Sequence, residues 1–528
     1  MKVHQILYDL ERGILGLPKF QRGFVWDRSK VRRFMYSMYR KYPVGGLLIW
    51  NTRVDVNIVR DGILPQGESI DLIVDGQQRI TTLYGMYKGR TPPFFVGKRN
   101  DILNLYFDLE EEKFEFYRAS LMQNNSSWIS VTRILQTDRR ELLKPFEGTP
   151  EYFTYHERVV QLKEILEKVF HVDSITEETA KLEEVVEIFN EVNKGGSSLG
   201  EADFTLAKIS IGWPTAREEM QSKLNEWSSH PNGYEFTIEW LLRCMNSAVL
   251  GRARFNELIT TDVNKLQIGL KNVLKYVNAF LAQIEDRLGL DHFKVIKNSR
   301  ATFPVVMRYL AQNNGAFQSE SEIAQLLYWY IHAVLWGRYT RGATESILQT
   351  DLTVIDDQKE WKRRFQGLIS SLHQTRNPLR IHPDDFIGST TGNRFYPFLY
   401  LLTRTNETRD LLTRLRLNHR LSGNPLELHH IFPKSVLRDK GYNPREVNSL
   451  ANFAFLTRET NRKLQNREPK DYLAECDVNL VESQWIPTNP KLWKIGNYPK
   501  FLSERRKLLS AAANKLLENL ESGKLPHS

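Results

Sequence analysis

The sequence predicts an α+β protein of several domains, and three observations lead there. Its 528 residues exceed what one hydrophobic core usually serves. Over roughly the first two hundred residues, short apolar runs closed by Gly and Pro alternate with stretches of helical spacing. From about 215 to 400 the spacing is helical almost throughout. The domains expected are 1–215, 216–385 and 386–510, with a short helix and frayed tail over 511–528. The polar, Pro-containing stretch Gln374 to Asp385 marks the second boundary. There is no fixed-period repeat and no low-complexity segment.

Taken in order, the chain opens with a short helix-like stretch and a Gly-Leu-Pro break. Val31, Phe34, Met35 and Met38 recur at helical spacing, so Arg28 to Tyr42 is read as a helix, ended by Pro43 and Gly45-Gly46. Leu47 to Trp50 reads as a buried strand, and Ile70 to Val74 as another. Asp75-Gly76 makes a turn, and Gln77 to Lys88 is helical. Residues 102–117 alternate as in a hairpin, with Glu110 to Glu112 near its turn. Tyr152 to Ile211 is mostly helical, interrupted by the Gly-rich loop Asn193 to Ser198.

Composition narrows the class. Hydrophobic residues at 41% and charged residues at 26% are ordinary for a folded protein, which argues against a disordered chain. A net charge of +10 suits a polyanionic partner, yet also a basic protein with none; charge alone leaves the two even. Two distant cysteines, Cys244 and Cys476, make neither a disulfide framework nor a zinc cluster. The start, Met-Lys-Val-His-Gln, lacks a signal-peptide core, and the apolar run Leu326 to Trp336 is too short to span a bilayer. A cytoplasmic protein is expected, with no membrane partner.

In the N-terminal part, Asp75-Gly76-Gln77-Gln78-Arg79 lies between a strand and a helix. A helix N-terminus offers unpaired N–H groups that can hold a phosphate. Asp75 could bind a metal or orient a water, and Arg79 could pair with phosphate oxygens. Gln21-Arg22 supplies a second amide and guanidinium, and the loop at Asn193 more backbone N–H groups. The plainer reading is a common Asp-Gly turn followed by a solvated helical turn. Trp26 and Trp50 read as core, and Arg28, Lys30, Arg32 and Arg33 as an exposed helix face.

In the C-terminal part, residues 427–433 read Glu-Leu-His-His-Ile-Phe-Pro, followed by Asn452 and Asn461. Cutting a phosphodiester needs a deprotonated water and stabilisation of growing negative charge. Neutral imidazole is a suitable base near physiological pH. Mg²⁺ prefers oxygen ligands and keeps waters, so one His and one Asn leave room for a phosphate. Adjacent strand residues point to opposite faces, so His429 can serve the metal and His430 the base. Asn461 falls on or just before a helix. Isolated His-His pairs and loop asparagines are common, but Pro433 and the two asparagine contexts make the pattern more specific. A basic helix from Arg404 to Arg420, with Arg414 and Arg416, is a candidate DNA-contacting surface, a solvated face being the competing reading.

These residues carry a resemblance. The C-terminal segment resembles the His-Me finger (HNH) nucleases in the variant fused to ParB-like NTPase domains. Leu17 to Trp26, the Asp-Gly-Gln-Gln-Arg run and Phe189 to Leu199 resemble that NTPase domain. Trp336-Gly-Arg-Tyr-Thr and Asp351-Leu352 resemble the helical region between. The order resembles the GmrSD-type modification-dependent restriction enzymes and the SspE-type phosphorothioate-linked defence nucleases.

The resemblance implies a ParB/sulfiredoxin-like N-terminal domain, a helical middle and a ββα-metal nuclease domain. It implies anti-phage defence by a DNA endonuclease or nickase using Mg²⁺ or Mn²⁺. An NTP such as GTP or ATP would be bound and hydrolysed, and modified phage DNA or phosphorothioate-linked self DNA would be sensed, with a homodimer among the expected partners. By the same resemblance, Asp75, Gln77, Gln78 and Arg79 match the NTPase motif, with Gln21, Arg22, Gly76 and Asn193 around it. His430 matches the base, His429 and Asn461 the metal positions, and Asn452 an orienting asparagine. Some relatives carry Asp at the position of His429, which bears on metal preference. The alternative from another class is an NTP-switched ParB-like DNA-binding regulator whose C-terminal finger only supports structure.

Overall fold

The computed structural model describes all residues except 56–57, 61–67, 177–179, 195–199, 341, 419–425 and 527–528, and the side chains at 190, 193 and 194. It divides into two compact units, Met1–Met220 and Gln221–Ser528. The first break thus lies a few residues past the expected 215, and the expected boundary near 385 falls inside the second unit.

The strands of the first unit are β1 (Leu15–Gly16), β2 (Leu47–Arg53), β3 (Ser69–Asp75), β4 (Leu105–Asp108), β5 (Lys113–Phe116), β6 (Trp128–Ser130) and β7 (Val172–Thr176). One sheet runs β1-β3-β2-β7, with β2 antiparallel to β3 and parallel to β7; a second runs β5-β4-β6. The helices α1 (Val3–Glu11), α2 (Arg28–Tyr39) and α3 (Gln77–Lys88) follow the predicted order. Strand side chains alternate between faces, and both faces of the central sheet are covered. Leu47, Ile49 and Ile73 pack with Val31, Met35, Met38, Ile80 and Leu83. Trp50, Leu72 and Val74 pack with Val185, Val186 and Phe189 on the other side. That double burial explains the unbroken apolar run Leu72 to Val74.

Three local expectations change. Helix α2 ends at Tyr39, not Tyr42, because Lys41 turns into the left-handed region at φ 59°. Strand β7 interrupts the stretch read as helical; it is a half-exposed segment without a strong alternation, held by its pairing with β2. Trp50 is core, whereas Trp26 is half-buried, edge-on to Phe34 at 5.3 Å.

The second unit is helical through Trp361–His373, as the spacing predicts. The Trp336-Gly-Arg-Tyr-Thr motif forms a buried network there. Arg338 donates to both oxygens of Asp351 at 2.6 Å and to the Ser371 carbonyl at 2.8 Å; the Tyr339 hydroxyl donates to Asp351 at 2.5 Å. Arg338 is 4% exposed and Asp351 is fully buried, so each neutralises a charge the other could not leave unpaired. The apolar run from Leu326 lies in the helix Glu320–Leu335, and among the described residues no helix is long and apolar enough to cross a membrane.

Two corrections concern the C-terminal part. Among the described residues, the expected basic helix Arg404 to Arg420 does not form: the helix Phe395–Thr405 stops, and residues 408–417 fold back around Asp410. Its carboxylate accepts from the backbone N–H of Leu412 and Thr413 at 3.1 and 2.9 Å, and those bonds replace helical ones. Arg404 is buried against Asp291, Arg414 and Arg416 are exposed, and Arg420 lies outside the described residues. The short helix expected within 511–528 is present, but as the second half of a continuous helix, Tyr498–Glu521, burying Ala513, Leu516, Leu517 and Leu520. Ser510 and Asn514 of that helix both donate to the Ile381 carbonyl, which ties the 374–385 segment into the same unit.

Candidate functional site

Strands β8 (Glu427–His430) and β9 (Phe453–Leu456) pair antiparallel, His429 opposite Ala454 and His430 opposite Phe453. The helix Arg458–Leu464 follows at once, capped by the Thr457 backbone and side chain. This strand–strand–helix unit brings together His429, His430, Asn452 and Asn461, the four C-terminal residues singled out from sequence.

Asn461 sits mid-helix and reaches back to β8. Its amide nitrogen donates to Glu427 at 2.8 Å, which turns its oxygen toward His429 Nδ1, 2.9 Å away. Two cis ligands of an octahedral Mg²⁺, each at about 2.1 Å, stand about 3.0 Å apart. An amide oxygen only accepts, so the contact is a hydrogen bond from His429 Nδ1–H, and the two atoms could be neighbouring ligands of one ion only once that proton leaves. His429 is 3% exposed, its Nε2 has no hydrogen-bond partner, and burial pushes its pKa down to about 4. It is a neutral imidazole at physiological pH, the form that offers a lone pair to a metal. Among the described residues no group of three or more His, Cys, Asp or Glu is placed to hold a metal.

His430 is oriented by a residue that sequence reasoning missed. Its Nε2 lies 3.1 Å from Asn448 Oδ1. Asn448 donates its own amide to the Pro444 carbonyl at 2.8 Å, and a carbonyl can only accept. The Asn448 oxygen therefore faces His430, Nε2 carries the proton, and Nδ1 is left as the acceptor. Burial lowers the pKa of His430, against the hydrogen bond it donates to Asn448, which raises it. A neutral imidazole with one nitrogen held and the other open is the arrangement of a general base.

Asn452 braces the same loop. It is fully buried, accepts from the Phe432 N–H at 2.9 Å and donates to the carbonyls of Phe432 and Val447 at 3.1 and 3.0 Å. Its work is to fix the turn that carries His430. Asp410, also missed, accepts from Thr457 N–H at 2.8 Å and from the hydroxyls of Thr457 and Thr460, anchoring the start of the helix that bears Asn461. Arg505 is fully buried and donates to the carbonyls of Ala451 and Phe453, at 2.9 and 2.6 Å. Neither Asp410 nor Arg505 stands near the histidines in sequence, so no local pattern announced them.

In the first unit, the Asp75-to-Arg79 run sits where expected, at the end of β3 and the start of α3. Gly76 has φ 104°, and a Cβ there would meet Leu47 at 2.2 Å. Most of the neighbouring side chains hold backbone. Gln77 and Gln78 donate to the carbonyls of Arg22 and Gly23 at 2.9 and 3.1 Å, and Gln21 to those of Ile73 and Val74. Arg79 donates to Val44, Gly46 and the Asp75 carboxylate. Asp75 stays about one-third exposed. The Asn193 side chain lies outside the described residues.

Sequence reasoning also missed Arg60 and Arg217, which join Arg22 beside it. Arg60 donates to the Gln21 and Arg22 carbonyls, and Arg22 and Arg217 approach Asp203 at 3.5 and 3.6 Å. Burial, then repulsion from Arg217, pushes the pKa of Arg60 down to about 9. The four residues 22, 60, 203 and 217 meet only through the fold.

Residues 3–210 match the family described as "GmrSD restriction endonuclease, N-terminal domain". The chain is also 23% identical over 523 aligned residues to an uncharacterized protein of Methanocaldococcus jannaschii, covering 88% of this chain and 84% of that protein.

Proposed function

We propose that this protein is a metal-dependent DNA endonuclease or nickase of a restriction or anti-phage defence system. The N-terminal domain would bind and hydrolyse an NTP, GTP or ATP, and sense modified DNA. The C-terminal ββα unit would cut. One observation carries the reading: His429 and Asn461 are held in contact from a strand and the helix after it, placed to become neighbouring ligands when Nδ1 gives up its proton, beside a histidine whose protonation site is dictated by Asn448. The match of residues 3–210 to a restriction endonuclease domain supports DNA as the partner.

In this reading His429 and Asn461 would hold Mg²⁺ or Mn²⁺, which when bound supplies positive charge to the phosphate under attack. His430 takes a proton from water at Nδ1, and its Nε2–H keeps its bond to Asn448. Asn452 and Arg505 keep the loop and β9 from shifting as the imidazole gains charge. Asp75 and Arg79 are the residues assigned to NTP turnover, with Gln21, Arg22, Gly76, Gln77, Gln78 and Asn193 around the nucleotide. Arg414 and Arg416, both exposed, are assigned to DNA contact.

The deciding experiment is cleavage of modified and unmodified phage DNAs, including phosphorothioate-linked DNA, with each NTP and with Mg²⁺, Mn²⁺ or EDTA. His430→Ala should abolish cutting and leave NTP hydrolysis and DNA binding in place. Cleavage that survives this change removes His430 as the base. Asp75→Ala should impair NTP turnover, and unchanged turnover removes the N-terminal assignment.

A further inference from the structure

Each of the adjacent histidines faces an asparagine, and each asparagine is anchored on its far side by a group that can only accept. For His430 the anchor is the Pro444 carbonyl, acting through Asn448. For His429 it is the Glu427 carboxylate, acting through Asn461. Glu427 lies two residues before His429 on β8, so strand alternation puts both side chains on one face. One carboxylate oxygen accepts from Asn461 Nδ2 at 2.8 Å, and the other stands 3.6 Å from Arg458 Nε. Arg458 and Asn461 are three residues apart on the same helix, the spacing of neighbours on a helix surface. Glu427 thus ties the strand to the helix at two points.

What this tie controls is the direction of one amide. The oxygen and nitrogen of an asparagine side chain are nearly the same size, so sterics alone does not choose between two settings related by a half-turn. Their chemistry differs. In the observed setting the oxygen faces His429, where it accepts from the ring. Turned over, that oxygen would meet the Glu427 carboxylate, acceptor against acceptor. The NH₂ would then donate to His429 Nδ1 and block it with a hydrogen that belongs to the amide. One rotation would withdraw the amide oxygen from an ion and close the ring nitrogen to it.

We infer that Glu427 is a positioning residue for the metal site, holding Asn461 with its oxygen toward His429 so that both remain open to a hard divalent cation. The inference rests on the metal-site reading above. Glu427 acts through Asn461, and its effect is on the fraction of molecules whose site is competent. Apparent affinity falls in proportion to that fraction. Groups that orient metal ligands in this way typically carry 10- to 100-fold in affinity, about the range expected here.

The test measures Mn²⁺ binding to the full-length protein by calorimetry, with no DNA present. Glu427→Gln keeps the size of the side chain but can offer Asn461 either an oxygen or an N–H. Both settings of the amide then become populated, and Mn²⁺ affinity should fall about tenfold. Glu427→Asp keeps a group that only accepts and should recover affinity to within a few-fold of wild type. In an Asn461→Asp background an oxygen is presented whichever way the side chain turns, so adding Glu427→Gln should cost about twofold or less. Equal affinity in wild type and Glu427→Gln overturns the inference. So does an equal loss from Glu427→Gln in the wild-type and Asn461→Asp backgrounds. Either result leaves His429 and Asn461 as the metal pair. A wild-type protein that binds no Mn²⁺ overturns the inference and the pair together. One that binds Mn²⁺ with this order of variants yet cuts no DNA sinks the nuclease reading and leaves the role of Glu427 standing.

Discussion

Asn448 holds His430 by an oxygen whose direction is fixed from behind: Oδ1 to Nε2 is 3.1 Å, and the same amide donates to the Pro444 carbonyl at 2.8 Å. The proton on His430 is thus assigned by a turn eighteen residues downstream.

Asn448 is accordingly a positioning residue for the proposed cleavage. Asn448→Ala should lower kcat by roughly 10- to 100-fold with little change in KM. Asn448→Asp keeps an acceptor and adds negative charge, so it should restore much of the rate and move the acid limb of the pH–rate profile upward. A profile identical in both variants would show that Asn448 only supports the loop.

The metal side separates from the base side. His429→Ala and Asn461→Ala should each raise the Mg²⁺ or Mn²⁺ concentration needed for half-maximal cleavage by about tenfold or more. His430→Ala should leave metal binding, read by calorimetry, within a few-fold of wild type. If all three changes weaken metal binding alike, the division of labour between the adjacent histidines is wrong.

The Arg338–Asp351 pair is a stability element of the helical region. Asp351→Ala leaves a guanidinium that is 4% exposed without its carboxylate, and should cost about 3–5 kcal/mol. A urea midpoint for the variant within experimental error of wild type would count against the pair as a keystone. Replacing both partners by apolar residues should cost less than the single change.

Acid sensitivity should begin well above the carboxylate range. His332 is 1% exposed, accepts from Trp336 Nε1 at 3.1 Å, and is pushed down to about 3 by burial, then by His373. Between the unfolded value of 6.5 and 3, the unfolded chain binds a proton that the folded chain does not. Stability must fall as pH falls through that window, by up to about 1.4 kcal/mol per pH unit from this one residue. His332→Phe should flatten the stability profile between about pH 6 and pH 4, measured by denaturant melts. An unchanged slope would mean that His332 gains a proton without unfolding.

The sequence by itself determined the local chemistry of this protein. Helix α3 runs from Gln77 to Lys88 as its spacing predicts, and His429 and His430 occupy one strand with Asn461 on the following helix. These are legible because strand alternation, helical periodicity and Gly turns act over a few residues. Tertiary structure decided what depends on distant partners. Strand β7 exists through its pairing with β2, more than a hundred residues away in sequence. The basic stretch after Arg404 is a turn because the Asp410 carboxylate takes the N–H groups that a helix would use. The short helix near the end is the buried second half of a longer one because Leu516, Leu517 and Leu520 pack inward. His430's protonation site, the cluster at Arg60 and Arg217, and the hold of Glu427 on Asn461 arise likewise from side chains that only folding brings within hydrogen-bonding or Coulomb range.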